Sequence, residues 1–114
     1  MHEYSILQAL MQTVHAHVAA HGATTVRRLH VRIGELSGVD PHLLASAFDT
    51  FREPICRDAE MQIVHEAAAW VCPTCGAAIP RGGVLRCDAC DTPAVLNAGQ
   101  DIFLDRIEME IPDV

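Results

Sequence analysis

The chain has 114 residues, a formal net charge of −7 at neutral pH, and apolar side chains at half of its positions. Such a chain can bury one small core with an attached module. Eight basic residues against fifteen acidic ones cannot form a large basic face, which argues against nucleic-acid binding. The sequence shows neither a secretory signal pattern nor an apolar run as long as a membrane span. We therefore expect a cytoplasmic protein with reduced thiols.

The first predicted element is an amphipathic helix from residue 3 to about residue 20. Its apolar residues recur at steps of three and four, as one buried helix face requires: Ile6, Leu7, Leu10, Met11, Val14 and Val18. The period then changes to two. Leu29, Val31 and Ile33 alternate with basic residues, which predicts a strand with one buried face.

A second helix is predicted to begin at Asp40-Pro41, because aspartate caps helix N-termini and proline is favoured at the first helical position. Pro54 ends it. A second strand is predicted around Met61 and Ile63, where apolar and polar residues alternate.

A last strand is predicted after a turn at residues 97–99. Its apolar residues Phe103, Ile107 and Met109 are expected on one buried face, although Ile102 and Leu104 blur that pattern. The element order predicts an α+β fold, with two helices covering one face of a three-stranded sheet. The order of the strands in the sheet stays open.

Two Cys-x-x-Cys pairs separated by eleven residues lie between the second and the last strand: Cys72, Cys75, Cys87 and Cys90. This spacing is typical of a tetrahedral four-thiolate zinc site, and four thiolates leave no open position, so the site is expected to be structural. Two disulfides and a rubredoxin-like iron site are the alternatives. Reduced thiols argue against the first, and the scarcity of aromatic residues near the cysteines argues against the second.

The first three residues contain a second candidate metal site. The α-amine of Met1 and the backbone nitrogen and imidazole of His2 could chelate one ion, and Glu3 could add its carboxylate or a second backbone amide. Such a nitrogen-rich set suits Ni(II) or Cu(II) better than zinc. From the residues alone, an ordinary solvated histidine near a chain end is the simpler interpretation.

The motifs together resemble one known family. The chain begins Met-His-Glu-Tyr-Ser, continues with Gly-Glu-Leu-Ser-Gly-Val-Asp-Pro at residues 34–41 and Ala47-Phe48, and then carries the two cysteine pairs. In these motifs, and over nearly its whole length, it resembles the HypA/HybF family of nickel metallochaperones for [NiFe]-hydrogenase maturation.

The resemblance implies a transferable Ni(II) bound by His2, with the Met1 amine and Glu3 beside it, and a structural Zn(II) held by the four cysteines. It implies a nickel-binding domain formed by residues 1–67 and 99–114, with a zinc-ribbon-like domain, residues 68–98, inserted in it. It also implies a non-enzymatic role. The expected partners are a nickel-handling GTPase and the hydrogenase large subunit. Service to urease and formation of a homodimer stay open.

Other residues have competing interpretations. The Asp40 carboxylate could contact the nickel site or the groups that surround it, but a helix N-cap explains Asp40 without a metal. The helix-one histidines His15, His17 and His21 could bind metal, but interaction with the helix dipole is the simpler reason for them. Cys56 is expected to be a small buried apolar residue.

A zinc-ribbon adaptor without transferable metal is the alternative function. A hydrolytic metalloenzyme is disfavoured because no general base beyond Glu3 is evident.

Overall fold

A computed structural model describes residues 2–112, except for the side chain of His2. The elements in chain order are helix α1 (His2–His21), strand β1 (Thr25–Gly34), helix α2 (Pro41–Thr50), a 3-10 helix (Pro54–Cys56), and strands β2 (Glu60–Glu66), β3 (Ala69–Val71), β4 (Ala78–Ile79), β5 (Arg86–Cys87), β6 (Thr92–Pro93), β7 (Val95–Ala98) and β8 (Ile102–Glu110). No helix within residues 2–112 is both long enough and apolar enough to cross a membrane.

The main sheet has the strand order β2-β1-β8, so β1 is its central strand. β1 runs parallel to β2 and antiparallel to β8. Its inward side chains are almost completely buried, and they form one core with residues of both helices: Leu7, Leu10, Met11, Val14, Val26, Leu29, Val31, Ile33, Leu44 and Phe48. The predicted α+β fold, with two helices packed on a three-stranded sheet, is confirmed.

Helix α2 begins where the sequence predicts. The Oδ1 atom of Asp40 accepts hydrogen bonds from the backbone N–H groups of His42, at 2.8 Å, and Leu43, at 3.3 Å. These bonds satisfy two of the amide groups that a helix start leaves unpaired. Pro41 lies in the first turn and has no N–H group that would need an acceptor. The helix ends at Thr50, before Pro54.

The predicted buried face of the last strand is wrong in one part. Ile102, Leu104 and Ile107 pack against the core, whereas Phe103 lies on the outer face, with the Arg32 guanidinium carbon 4.4 Å from its ring centroid. The pairing of β1 with β8 shifts register between His30 and Val31. A bulge there reverses the side-chain alternation, which is why a strict period of two misassigned the strand.

The segment between β2 and β8 contains more strands than the sequence indicated. β3 pairs with β4 and β7 in a second sheet, and β5 pairs with β6 in a hairpin. Strands of two to four residues are too short to show periodicity. The predicted turn at residues 97–99 is also shifted, since Asn97 and Ala98 close β7 and the chain turns from Gly99.

The two sheets meet at a close crossing of two glycines. A Cβ atom on Gly34 would lie 2.4 Å from the carbonyl carbon of Gly99, and one on Gly99 would lie 2.6 Å from the Cα of Ala68. Gly99 also has φ +91°, a conformation that side chains disfavour. Backbone hydrogen bonds fix the crossing, because the Leu36 N–H donates to the Gly99 carbonyl at 2.7 Å.

Candidate metal centre

The four cysteines of the predicted zinc site come together. Cys72 directly follows β3, Cys87 lies in β5, and Cys75 and Cys90 lie in the turns that follow them. One Sγ atom from each residue lies within 4.8 Å of the other three. Cys72 and Cys87 are buried, whereas Cys75 is exposed and Cys90 is half-buried.

The cluster has the dimensions of a tetrahedral zinc site. Zinc–sulfur bonds of about 2.3 Å in a tetrahedron place the sulfur atoms about 3.8 Å apart. The Sγ atoms of Cys75 and Cys87 are 3.8 Å apart. The donor set therefore fits a thiophilic ion that takes four ligands.

Backbone N–H groups point at the first cysteine. Those of Thr74 and Cys75 lie 3.4 and 3.5 Å from the Sγ of Cys72 and donate to it. The turn closes through Gly76, whose φ is +76° and whose N–H donates to the Cys72 carbonyl. These donors, led by the Cys75 N–H, lower the pKa of the Cys72 thiol to about 6, which favours the thiolate form that binds metal ions.

The pKa of the fourth cysteine, Cys90, shifts in the opposite direction. Hydrogen bonding with the Cys75 and Cys72 thiols raises the pKa of Cys90 to about 12. Four thiolates packed this closely repel one another unless a cation lies between them. Binding a divalent ion therefore has to release protons from the cluster, and the affinity of the site must fall in acid.

Residues 69–98, here called the cysteine segment, have little apolar mass of their own. Its buried cluster consists of Cys72, Ile79 and Cys87, against which Trp70, Cys90 and Ala94 pack. Half of these residues are the candidate ligands themselves. Val84 in the loop between the cysteine pairs is 81% exposed. A fold with so small a core depends on a bound metal.

One charged contact attaches the cysteine segment to the main sheet. The carboxylate of Glu35, just after β1, accepts hydrogen bonds from both terminal nitrogens of Arg81, at 2.6 and 2.7 Å, and from the Ala68 N–H at 2.8 Å. Arg81 belongs to the loop between the two cysteine pairs, and its guanidinium carbon is 5.9 Å from the Trp70 ring centroid. The bidentate pair ties the position of that loop to the end of β1.

This contact predicts a specific pH behaviour. The Arg81 guanidinium, with the Ala68 N–H, lowers the pKa of Glu35 to about 2 from its ordinary 4.5. A lowered carboxyl pKa stabilises the fold fully above pH 4.5 and loses its contribution as the pH falls towards 2. The loss of unfolding free energy on Glu35→Gln, measured by urea titration of zinc-loaded protein, is therefore expected to be the same at pH 7, 6 and 5.

Glu110→Gln is the matched control. Glu110 also pairs with an arginine, Arg27, but both side chains are largely exposed, so this change is expected to cost little at any of the three pH values. With zinc shown to be bound at each pH, a Glu35→Gln penalty that shrinks between pH 7 and pH 5 would contradict the assigned pKa.

The sequence assigned no structural role to Arg81 or to Glu35, although Glu35 lies in the motif at residues 34–41. They are 46 positions apart, and each looks like an ordinary surface charge. A contact between residues so distant in the chain produces no periodicity or motif spacing from which it could be predicted. The fold alone brings them together.

Two candidate nickel donors, the His2 backbone nitrogen and Glu3, lie at the start of α1. The Met1 amine and the His2 side chain lie outside the described residues, and Glu3 lies in the first helical turn. The Asp40 carboxylate hydrogen-bonds to the first amides of α2, as its N-cap interpretation predicts. Its contact with the nickel site stays a prediction.

Three further residues, His15, His30 and Cys56, lie in different environments. His15 Nε2 lies 2.7 Å from a Glu53 carboxylate oxygen, and His30 lies 2.5 Å from Glu108. Cys56 is fully buried, as predicted, and burial raises the pKa of its thiol to about 11. A thiol that stays protonated is a poor nucleophile and a poor metal ligand.

Comparison with known proteins relates the chain to one group over nearly its full length. A family described as "Hydrogenase/urease nickel incorporation, metallochaperone, hypA" matches residues 1–109. The hydrogenase maturation factor HypA of Wolinella succinogenes is 37% identical, with 99% of this chain and 98% of that protein covered. The HypA of Aquifex aeolicus is 35% identical, with 97% and 99% covered.

Solved structures agree with this relation. The solution structure of the nickel metallochaperone HypA from Helicobacter pylori superposes with a TM-score of 0.72 at 30% sequence identity, covering 96% of this chain and 98% of that one. A second solution structure of a HypA protein gives a TM-score of 0.80 at 32% identity, with 96% of each chain covered.

Proposed function

Because the chain belongs to the HypA family of nickel-incorporation metallochaperones, we propose that it binds one Ni(II) at its amino terminus and delivers it during [NiFe]-hydrogenase maturation. The proposed donors are the Met1 α-amine, the backbone nitrogen and imidazole of His2, and the Glu3 carboxylate. Fused small chelate rings and nitrogen donors favour Ni(II) over zinc.

The observation that carries the proposal is that α1 begins at His2. The first N–H groups of a helix have no partner inside the helix, so the His2 amide nitrogen can lose its proton to a metal without breaking a helical hydrogen bond. Few side chains would hold an ion at the proposed site, and this would allow transfer to an acceptor by ligand exchange.

Zn(II) is the proposed resident ion of the cysteine cluster. The sulfur spacing and the lack of an open ligand position both support a structural role for it. The ion would hold the chain around the two Cys-x-x-Cys turns and so keep Arg81 against Glu35.

The proposed division of the chain has a nickel-binding domain, residues 1–67 and 99–114, with a zinc-binding domain, residues 68–98, inserted in it. The separate buried clusters of the main sheet and the cysteine segment support this division. The protein would act in the cytoplasm as a carrier rather than an enzyme. It would pass nickel on together with a GTPase partner and the hydrogenase large subunit.

The decisive experiment compares three zinc-loaded proteins by calorimetric titration with Ni(II): the native chain, a chain with one residue added before Met1, and His2→Ala. Extension removes the α-amine from chelating position, and His2→Ala removes the imidazole. We expect the native chain to bind one Ni(II) tightly, and both variants to bind this ion at least about 100-fold more weakly, which corresponds to about 2.7 kcal/mol.

His15→Ala is the matched control, because it removes an imidazole from the same helix without changing the chain end. It is expected to keep native affinity. Equal nickel affinity in the native and extended chains would exclude the amine as a ligand. Failure of all four proteins to bind nickel would favour a zinc-ribbon adaptor without transferable metal.

A further inference from the structure

Two histidines near the end of α1 contact each other on the protein surface. His17 and His21 are four residues apart, which places them on the same helix face. Their ring centroids are 6.4 Å apart, their planes differ by 11°, and both residues are exposed. The two imidazoles therefore lie side by side in reach of solvent.

The ring nitrogens of this pair are available to a ligand. In two other histidines a ring nitrogen is already hydrogen-bonded: Nε2 of His15 to Glu53, and Nε2 of His30 to Glu108. Within the described part of the chain, neither His17 nor His21 has a hydrogen bond or an ion pair. Metal binding at this pair would therefore break no existing polar contact.

The position of the pair also favours a cation. Imidazole is a good ligand for Ni(II), Cu(II) and Zn(II), and two imidazoles at helical spacing can chelate one ion. His21 is the last residue of α1 and His17 lies one turn before it. The carbonyl groups at a helix C-terminus carry partial negative charge, which stabilises a bound cation.

We propose that His17 and His21 form a second metal site, which takes one divalent late transition-metal ion such as Ni(II). The two imidazoles supply two ligands and water completes the shell, so binding is weaker and faster to exchange than at a site with more protein donors. His17 is about 22 Å along the helix from His2, at 1.5 Å per residue. The pair therefore acts independently of the proposed amino-terminal site.

The test uses zinc-loaded protein extended by one residue before Met1, with Ni(II) alone as the probe. The extension disables the amine chelate, and zinc occupies the cysteines, so neither site contributes. Ni(II) is paramagnetic, and we expect it to broaden the amide NMR signals of residues 14–21 first. His17→Ala and His21→Ala should each weaken this binding at least about tenfold, as loss of half of a two-ligand chelate implies.

His15→Ala in the same extended protein is the matched control, because His15 lies on the same helix but is held by Glu53. It should leave nickel affinity unchanged. Unchanged affinity in either His17→Ala or His21→Ala would overturn the two-imidazole site, and so would an equal loss in His15→Ala. None of these outcomes bears on the amino-terminal proposal, since the probe protein lacks that chelate.

Discussion

Removing the metal from the four-cysteine cluster is expected to unfold residues 69–98 while the main sheet and its helices stay folded. The cysteine segment buries only Ile79 besides its own cysteines, with Trp70 and Ala94 partly covered. The main core, by contrast, is built from both helices and the central strand and contains none of the four ligands. Coupled metal binding and folding at such a site is worth on the order of 10 kcal/mol, far more than this small core can supply.

Cys72→Ala tests this most directly, because Cys72 is the buried, low-pKa member of the cluster. We expect zinc content to fall from one ion per chain to nearly none. The amide NMR signals of residues 69–98 should collapse to unfolded positions, while those of α1 and β1 stay in place.

Cys56→Ala is the control for this prediction. Cys56 is also a buried free cysteine, but it lies in the main core, away from the cluster. That variant is expected to keep one zinc ion and an ordered cysteine segment. Well-dispersed signals for residues 69–98 in metal-free Cys72→Ala would show that the segment folds by its own packing.

Replacing Gly99 by alanine is expected to cost about 2 to 5 kcal/mol of unfolding free energy. The new Cβ would lie 2.6 Å from the Cα and 2.8 Å from the nitrogen of Ala68, both of which are backbone atoms that cannot rotate away. Overpacking of this kind costs about 1 to 3 kcal/mol, and a side chain at φ +91° adds about 1 to 2 kcal/mol. Urea unfolding of zinc-loaded protein measures the sum.

Gly22→Ala separates the two contributions. Gly22 also has positive φ, +64°, but a Cβ there would meet no atom within 4 Å. That variant should lose only the conformational part, about 1 to 2 kcal/mol. Equal losses at the two positions would mean that the crossing of the sheets relaxes without cost.

The glycine crossing links the cysteine segment to other parts of the main sheet. Gly99, Gly34 and the Glu35–Arg81 pair all lie where the cysteine segment leaves the main sheet. Leu36, whose N–H is bound to the Gly99 carbonyl, begins the bend that leads to the capping residue Asp40. The position of the cysteine segment is thus linked through short covalent and hydrogen-bonded steps to the start of α2.

The sequence by itself determined the features that depend on neighbouring residues. The stripe of α1, the alternation in β1 and the Asp40-Pro41 start of α2 are local patterns, and the structure contains each element where they predict it. The spacing within each Cys-x-x-Cys pair is likewise local, since a tight turn is enough to aim two sulfur atoms at one point. The nickel donors follow from residue chemistry and family resemblance, and they stay a prediction.

The tertiary structure decided what depends on residues far apart in the chain. The order β2-β1-β8, the bulge that turns Phe103 outward, and the approach of Gly99 to Ala68 arise from how strands pair and cross. The hydrogen bonds from Arg81 to Glu35 connect residues 46 positions apart and join the cysteine segment to the main sheet. Local propensity does not encode such contacts, because their free energy exists only once the whole chain has brought the partners together.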